Sequence, residues 1–251
     1  NKSREKKNMC REIRVAAALL LGLLLLWPAV TWAAGPLFLS GDDADDPRHC
    51  PVPACGGLYP KALITVYEKS TSPGTGILAI GVNGSTSNAG SSLTGWNSVA
   101  NGGPGAPITF VTSTTAISGV NFSLYRMIYV PSGSNNTSGG ITQTQLNALN
   151  SRKVGIQTFV DAGGGVLALT EQGQTSAYAW LPVPVPLTFA AINDTNIDPT
   201  ADMFVALPGV GTTNANMDHC CYHTMWTGVA GTPGTFGDLK ILAVTREHNL
   251  A

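Results

Sequence analysis

The sequence predicts an α/β fold built on a mostly parallel sheet, and three observations carry that reading. Short apolar runs alternate with helix-like segments across residues 36–245. One of the runs, Val166-Leu167-Ala168-Leu169-Thr170, is apolar without alternation, as in a strand buried on both faces. It follows a helix pattern and a Gly163-Gly164-Gly165 stop, the order of half a doubly wound unit.

Pro36–Ser40 reads as the first strand and runs into an acidic loop. A helix is expected over Tyr59–Lys69, with Leu63, Val66 and Tyr67 on one face, then a strand over Ile77–Val82. A Gly/Ser/Asn-rich loop with one helical turn near Trp96 separates this from strands at Ile108–Val111 and Arg126–Val130. Ser132–Gly140 reads as a flexible polar loop. Thr142 is placed to cap a helix and Gln145 to close a capping box. Leu146, Leu149, Ile156 and Val160 then share one face of a continuous helix up to the glycine stop. Strands are expected again at Leu187–Ile192 and Lys240–Val244.

The N-terminus reads as an export signal. Arg11 and Arg14 precede the apolar run Val15–Trp27, Pro28 breaks it, and Thr31-Trp32-Ala33 offers a cleavage point after Ala33. That run spans about 20 Å as a helix, short of the ~30 Å needed to cross a bilayer. The alternative is an uncleaved anchor. Residues 34–251 form one domain, and no span after the signal is apolar enough for a membrane. The whole chain has 14 basic and 15 acidic side chains; residues 34–251 keep 8 and 13. Such a surface gives no electrostatic footprint for nucleic acid. An exported, periplasmic or cell-surface location makes disulfides among Cys50, Cys55, Cys220 and Cys221 the expected use of the four remaining cysteines, with the pairing open. Thiolate binding of a metal is the alternative.

Three polar groups are candidates for chemistry at the carboxyl ends of the strands. The first is Gly41-Asp42-Asp43-Ala44-Asp45-Asp46-Pro47-Arg48-His49, where four carboxylates fall within five residues. A divalent cation (Ca²⁺ or Mg²⁺) on Asp43 and Asp45 would offset their repulsion; the plainer reading is a solvated acidic loop. The second is Thr170 with Glu171 on the turn after the central strand, where Thr170 is a ligand contact and Glu171 a general base, a metal ligand or an acceptor for a ligand hydroxyl; the alternative is a carboxylate that favours a helix N-terminus. The third is Asp218–His223. His219 and His223 would share a helix face, but their Gly, Asn and Thr neighbours argue for a loop.

The segments Leu37–Asp45, Ile141–Leu169 and His223–Gly228 resemble the class I glutamine amidotransferase-like superfamily, closest to uncharacterised exported bacterial members that often carry PEP-CTERM tags. The resemblance implies a flavodoxin-like three-layer sandwich. It also implies a nucleophilic Cys on the turn after the central strand, and here that turn reads Leu169-Thr170-Glu171. Glutaminase chemistry is therefore not expected. The expected function is a non-catalytic module binding a small molecule, glycan or cation through Asp42, Asp43 and Thr170. The alternative is an extracytoplasmic hydrolase using Glu171, His223 and Asp42 or Asp43, with or without a metal.

Overall fold

Five strands lie side by side and run parallel: β1 (Leu37–Leu39), β2 (Ile77–Ile80), β3 (Ile108–Val111), β4 (Met127–Val130) and β5 (Gly165–Ala168), in the order β1-β5-β4-β2-β3. The computed structural model describes residues 34–50, 57–171, 173–181, 187–210, 218, 222–229, 232–233 and 239–246. The expected signal segment (1–33), Cys55, His219, Cys220 and Cys221 lie outside them. Cys50 is buried in the core.

The apolar runs are continuous because both faces of the sheet are covered. Alternate residues sort cleanly between two cores. Ile77, Ala79, Met127, Tyr129 and Leu167 pack with α1 (Leu58–Lys69) and α2 (Asn88–Asn97). Leu78, Ile80, Ile128, Val130 and Val166 pack with α3 (Thr114–Gly119), α4 (Gln143–Asn150) and α5 (Lys153–Asp161). A small helix, α6 (Ala201–Ala206), adds Met203 to the first core.

Thr142 caps α4, and its capping box with Gln145 is complete. The expected single helix from Thr142 is broken at Ser151–Arg152. The Arg152 guanidinium donates to the carbonyls of Ile117, Ser118 and Val120 and lies 4.6 Å over the Phe122 ring, and this docking is what the turn serves. At the end of α5, Gly163 has φ +88°; its N–H bonds to Val160, and that of Gly164 bonds to Phe159. This is the paired-bond C-cap that needs a left-handed residue. Gly164 has a separate reason, since a Cβ there would sit 2.2 Å from the Phe159 ring.

The last third of the described chain is antiparallel. β6 (Leu187–Asp194), β8 (Tyr222–Val229) and β9 (Thr232–Pro233) form one sheet, and β7 (Ile197–Pro199) pairs with β10 (Ala243–Thr245). β8 corrects the expected loop around His223. It pairs antiparallel with β6 and β9, and its first residue, Tyr222, also bridges to Asp42 just beyond β1. No described helix is long and apolar enough to cross a membrane.

Candidate functional site

The three loops at the carboxyl ends of β1, β5 and β4 meet the start of β8. The acidic loop that follows β1 is not solvated: Asp42, Asp43, Asp45 and Asp46 are all buried, which corrects the plainer reading of that stretch. A buried carboxylate must find donors or take up a proton, and each of the four solves this differently.

Asp45 accepts from the Ser132 N–H (3.1 Å), the Ser132 and Thr137 hydroxyls and the Tyr129 hydroxyl (3.1 Å). Burial still lifts it to about 6, against those donors. The Ser132–Gly140 stretch, expected to be a flexible loop, is thus fastened by buried Ser132 and Thr137. Asp46 is held below the ordinary carboxylate range: burial opposes this, but the Arg48 backbone and guanidinium (2.6–3.0 Å) and the Asn88 amide prevail.

Asp42 accepts from the Tyr59 hydroxyl, and Tyr59 stacks on Trp96 at 4.9 Å. Burial, reinforced by Asp43, Asp45 and Glu171, pushes the Asp42 carboxyl well above its usual range. Asp43 lies between two imidazoles, with His49 Nδ1 and His223 Nε2 (3.0 Å) both on its Oδ2. Asp43 and Asp45, the pair expected to share a cation, are therefore taken up by different partners. Among the described residues no three His, Cys, Asp or Glu side chains are grouped to hold a metal ion.

His223 reaches Asp43 through a backbone device. The N–H groups of His223 (2.7 Å) and Thr224 (3.1 Å) both bond to the Gly41 carbonyl, two residues opposite one. That is a β-bulge, which re-aims a side chain at a strand end. Gly41 has no room for more: a Cβ would lie 2.2 Å from the Thr224 carbonyl oxygen. The hydrogen bond to Asp43 raises the His223 pKa against the effect of burial, and the Glu171 charge adds to the rise.

Thr170 and Glu171 follow β5, fully buried. Glu171 Oε1 accepts from the Gly133 N–H (3.0 Å). Burial lifts this carboxyl to about 7; the Asn136 amide and His223 pull it down, and Asp43 pushes it up. Thr170 Oγ1 and Glu171 Oε2 meet no hydrogen-bond partner within the protein. The turn is not a strained nucleophile elbow. Among the described residues the one non-glycine with positive φ is Ser176 (55°), exposed and beyond the turn.

The structure thus brings Asp42, Asp43, Thr170, Glu171 and His223 to one end of the sheet. Sequence reasoning named His49 only as part of the acidic loop, with no role, and missed Ser132, Tyr59 and Tyr129. Ser132 stands just past the end of β4, where ligand-facing polar residues of parallel sheets occur, and that position was its available signal. Scans against family models, curated proteins and solved structures find no match for the chain.

Proposed function

We propose that the chain is an exported domain that binds a small polar molecule at the carboxyl end of its parallel sheet, without covalent chemistry of its own. One observation carries the reading: on the consecutive residues that follow β5 at that end, Thr170 Oγ1 and Glu171 Oε2 are each buried and lack hydrogen-bond partners within the protein. A buried polar atom left unbonded costs about 1–3 kcal/mol, and a ligand that hydrogen-bonds to it recovers that cost. The lack of a Cys on the turn and the relaxed backbone at Thr170–Glu171 favour binding over acyl transfer. The basic, apolar and small-residue pattern of residues 1–33 supports export. A flavodoxin-like, amidotransferase-like assignment draws on the strand order β3-β2-β4-β5, in which the chain reverses its direction of growth between β2 and β4.

A hydrolase is the second reading, favoured by Asp43 on His223 and by a Glu171 carboxyl that holds its proton up to about 7. In it Asp43 orients His223, which takes a proton from water as the water oxygen attacks. Protonated Glu171 then gives its proton to the leaving group.

Thermal-shift measurements on the purified chain and on Glu171→Gln, against neutral sugars, polyols, amides, amino acids, Ca²⁺ and Mg²⁺, test the proposal. At least one class should raise the melting temperature of the native chain, and the rise should vanish in Glu171→Gln. No stabilisation, or equal stabilisation of both, refutes it. Turnover of a chromogenic ester, amide or glycoside that His223→Ala abolishes selects the second reading.

A further inference from the structure

Beside the buried polar end of the sheet lies an aromatic surface that the site's own chemistry does not use. The Tyr178 ring sits 4.4 Å from Trp226 and 4.6 Å from Phe189, tilted about 60° to each. Phe189 and Trp226 face each other across the β6–β8 pair. Phe189 is 40% exposed, while Tyr178 and Trp226 are half-buried, so the group is both anchored and open to solvent. It is also tied to the site. The Tyr178 hydroxyl donates to Thr224 Oγ1 (2.6 Å), the residue after His223 in the bulge, and the Glu171 charge acts on Tyr178.

The polar half of this surface has a definite sense. Thr170 Oγ1, Glu171 Oε2 and Gln174 Oε1 are buried oxygens without partners in the protein. Gln174 Oε1 is a pure acceptor, while the Thr170 hydroxyl and the Glu171 carboxyl, which holds its proton up to about 7, each accept or donate, so the complementary molecule presents groups that both donate and accept, as hydroxyls do. The Gln174 amide and the Asn135 carbonyl oxygen converge with Glu171 Oε1 on the space beside the Cα of Gly133. An anion would be repelled by Asp43, and by Glu171 wherever it is ionised. An organic cation, which aromatic rings and carboxylates also attract, would face His223, whose hydrogen bond to Asp43 favours its charged form. A neutral molecule with many hydroxyls and a flat C–H face fits both halves at once.

Building on the binding-site reading above, we infer that the ligand is a carbohydrate. A pyranose ring would pack on the Phe189–Tyr178–Trp226 surface and direct its hydroxyls to Glu171, Thr170 and Gln174. Aromatic faces beside a few fixed polar groups are the usual build of a small-molecule site.

Isothermal titration of the purified chain with glucose, N-acetylglucosamine and their β-linked oligomers tests this, with glycerol and choline as non-sugar polar probes. At least one sugar should bind, more tightly than glycerol or choline. Phe189→Ala should weaken that binding about fivefold, the scale of one lost aromatic contact, with an unchanged circular dichroism spectrum. Phe189→Trp should restore it, and Glu171→Gln should abolish it. Binding of glycerol or choline that depends on Glu171, with no sugar bound, overturns the carbohydrate assignment and leaves the polar binding site standing. Sugar binding unchanged in Phe189→Ala overturns the aromatic platform. If no probe binds, or if binding ignores Glu171→Gln, both readings fall.

Discussion

Asp45 and Asp46 are met by serine, threonine, tyrosine and arginine donors, whereas Asp42 and Asp43, a few residues earlier in the same loop, face Tyr59, His49, His223 and Glu171. The later half fastens the loop to β4 and to the N-terminus of α2, where Asn88 reaches Asp46. The earlier half is left among groups that exchange protons. Four carboxylates of one composition thus divide into a fastening and a site, and the division is set by what lies opposite each, not by the loop itself.

The sharpest way to break this comparison is on the fastening side. Asp45→Ala leaves the Ser132 N–H and the Tyr129 and Thr137 hydroxyls buried without their acceptor, the Ser132 hydroxyl keeping Thr137 Oγ1, and should cost on the order of 4 kcal/mol in urea unfolding. A loss under about 1 kcal/mol would show that the loop is held elsewhere. Gly41→Ala comes next. Its Cβ would meet the Thr224 carbonyl at 2.2 Å and push β8 off β1, which should cost about 2–3 kcal/mol and separate His223 from Asp43.

The pH dependence of stability tests the site side. Asp45 rises from 3.8 to about 6 and Glu171 from 4.5 to about 7, so each binds its proton more tightly folded than unfolded. The folded state is then protonated where the unfolded chain is not, and stability should fall as pH rises through about 4 to 7. His223, also raised, contributes in the same direction. Asp46, lowered, contributes the opposite sign, below the ordinary carboxylate range. Glu171→Gln should remove on the order of 2 kcal/mol from the fall between pH 5 and 8, read from melting curves. An unchanged slope would mean that Glu171 is solvated.

The smallest effect belongs to Asp43→Asn, which keeps the shape and an acceptor. It should cost about 1 kcal/mol and lower the His223 pKa, as followed by NMR titration of the ring protons. A His223 titration unmoved by the change would break the Asp43–His223 assignment.

Much of the fold was legible because both-faced burial writes itself as unbroken apolar runs, as at Ile77–Ile80 and Met127–Val130; the edge strand Ile108–Val111, partly exposed, also falls where expected, and Gly163 caps α5 as its position required. β8 was not legible. His223-Thr224-Met225-Trp226-Thr227 is a half-buried strand whose two faces are both mixed, and its pairing with Gly41 lies far away in sequence. The break between α4 and α5 was hidden for a similar reason, since it answers to carbonyls at Ile117–Val120. In the site, Asp42, Asp43, Thr170, Glu171 and His223 could be named because they are polar residues near strand ends. Their burial could not, because charge density in a sequence looks the same whether water or Tyr129 stands opposite.

The bulge at His223 has a consequence for the order of assembly. Asp43 and His223 are 180 residues apart, and the start of β8 reaches the chain just beyond β1 through the single Asp42–Tyr222 bridge. The parallel sheet can close from residues 37–168, yet the His223–Asp43 contact must wait for β8 and for the entropy of closing that long loop. A chain that stops before residue 222 would keep Tyr59 on Asp42 and His49 on Asp43 but lack His223, so the Asp43–His223 contact reports whether β8 has joined the fold.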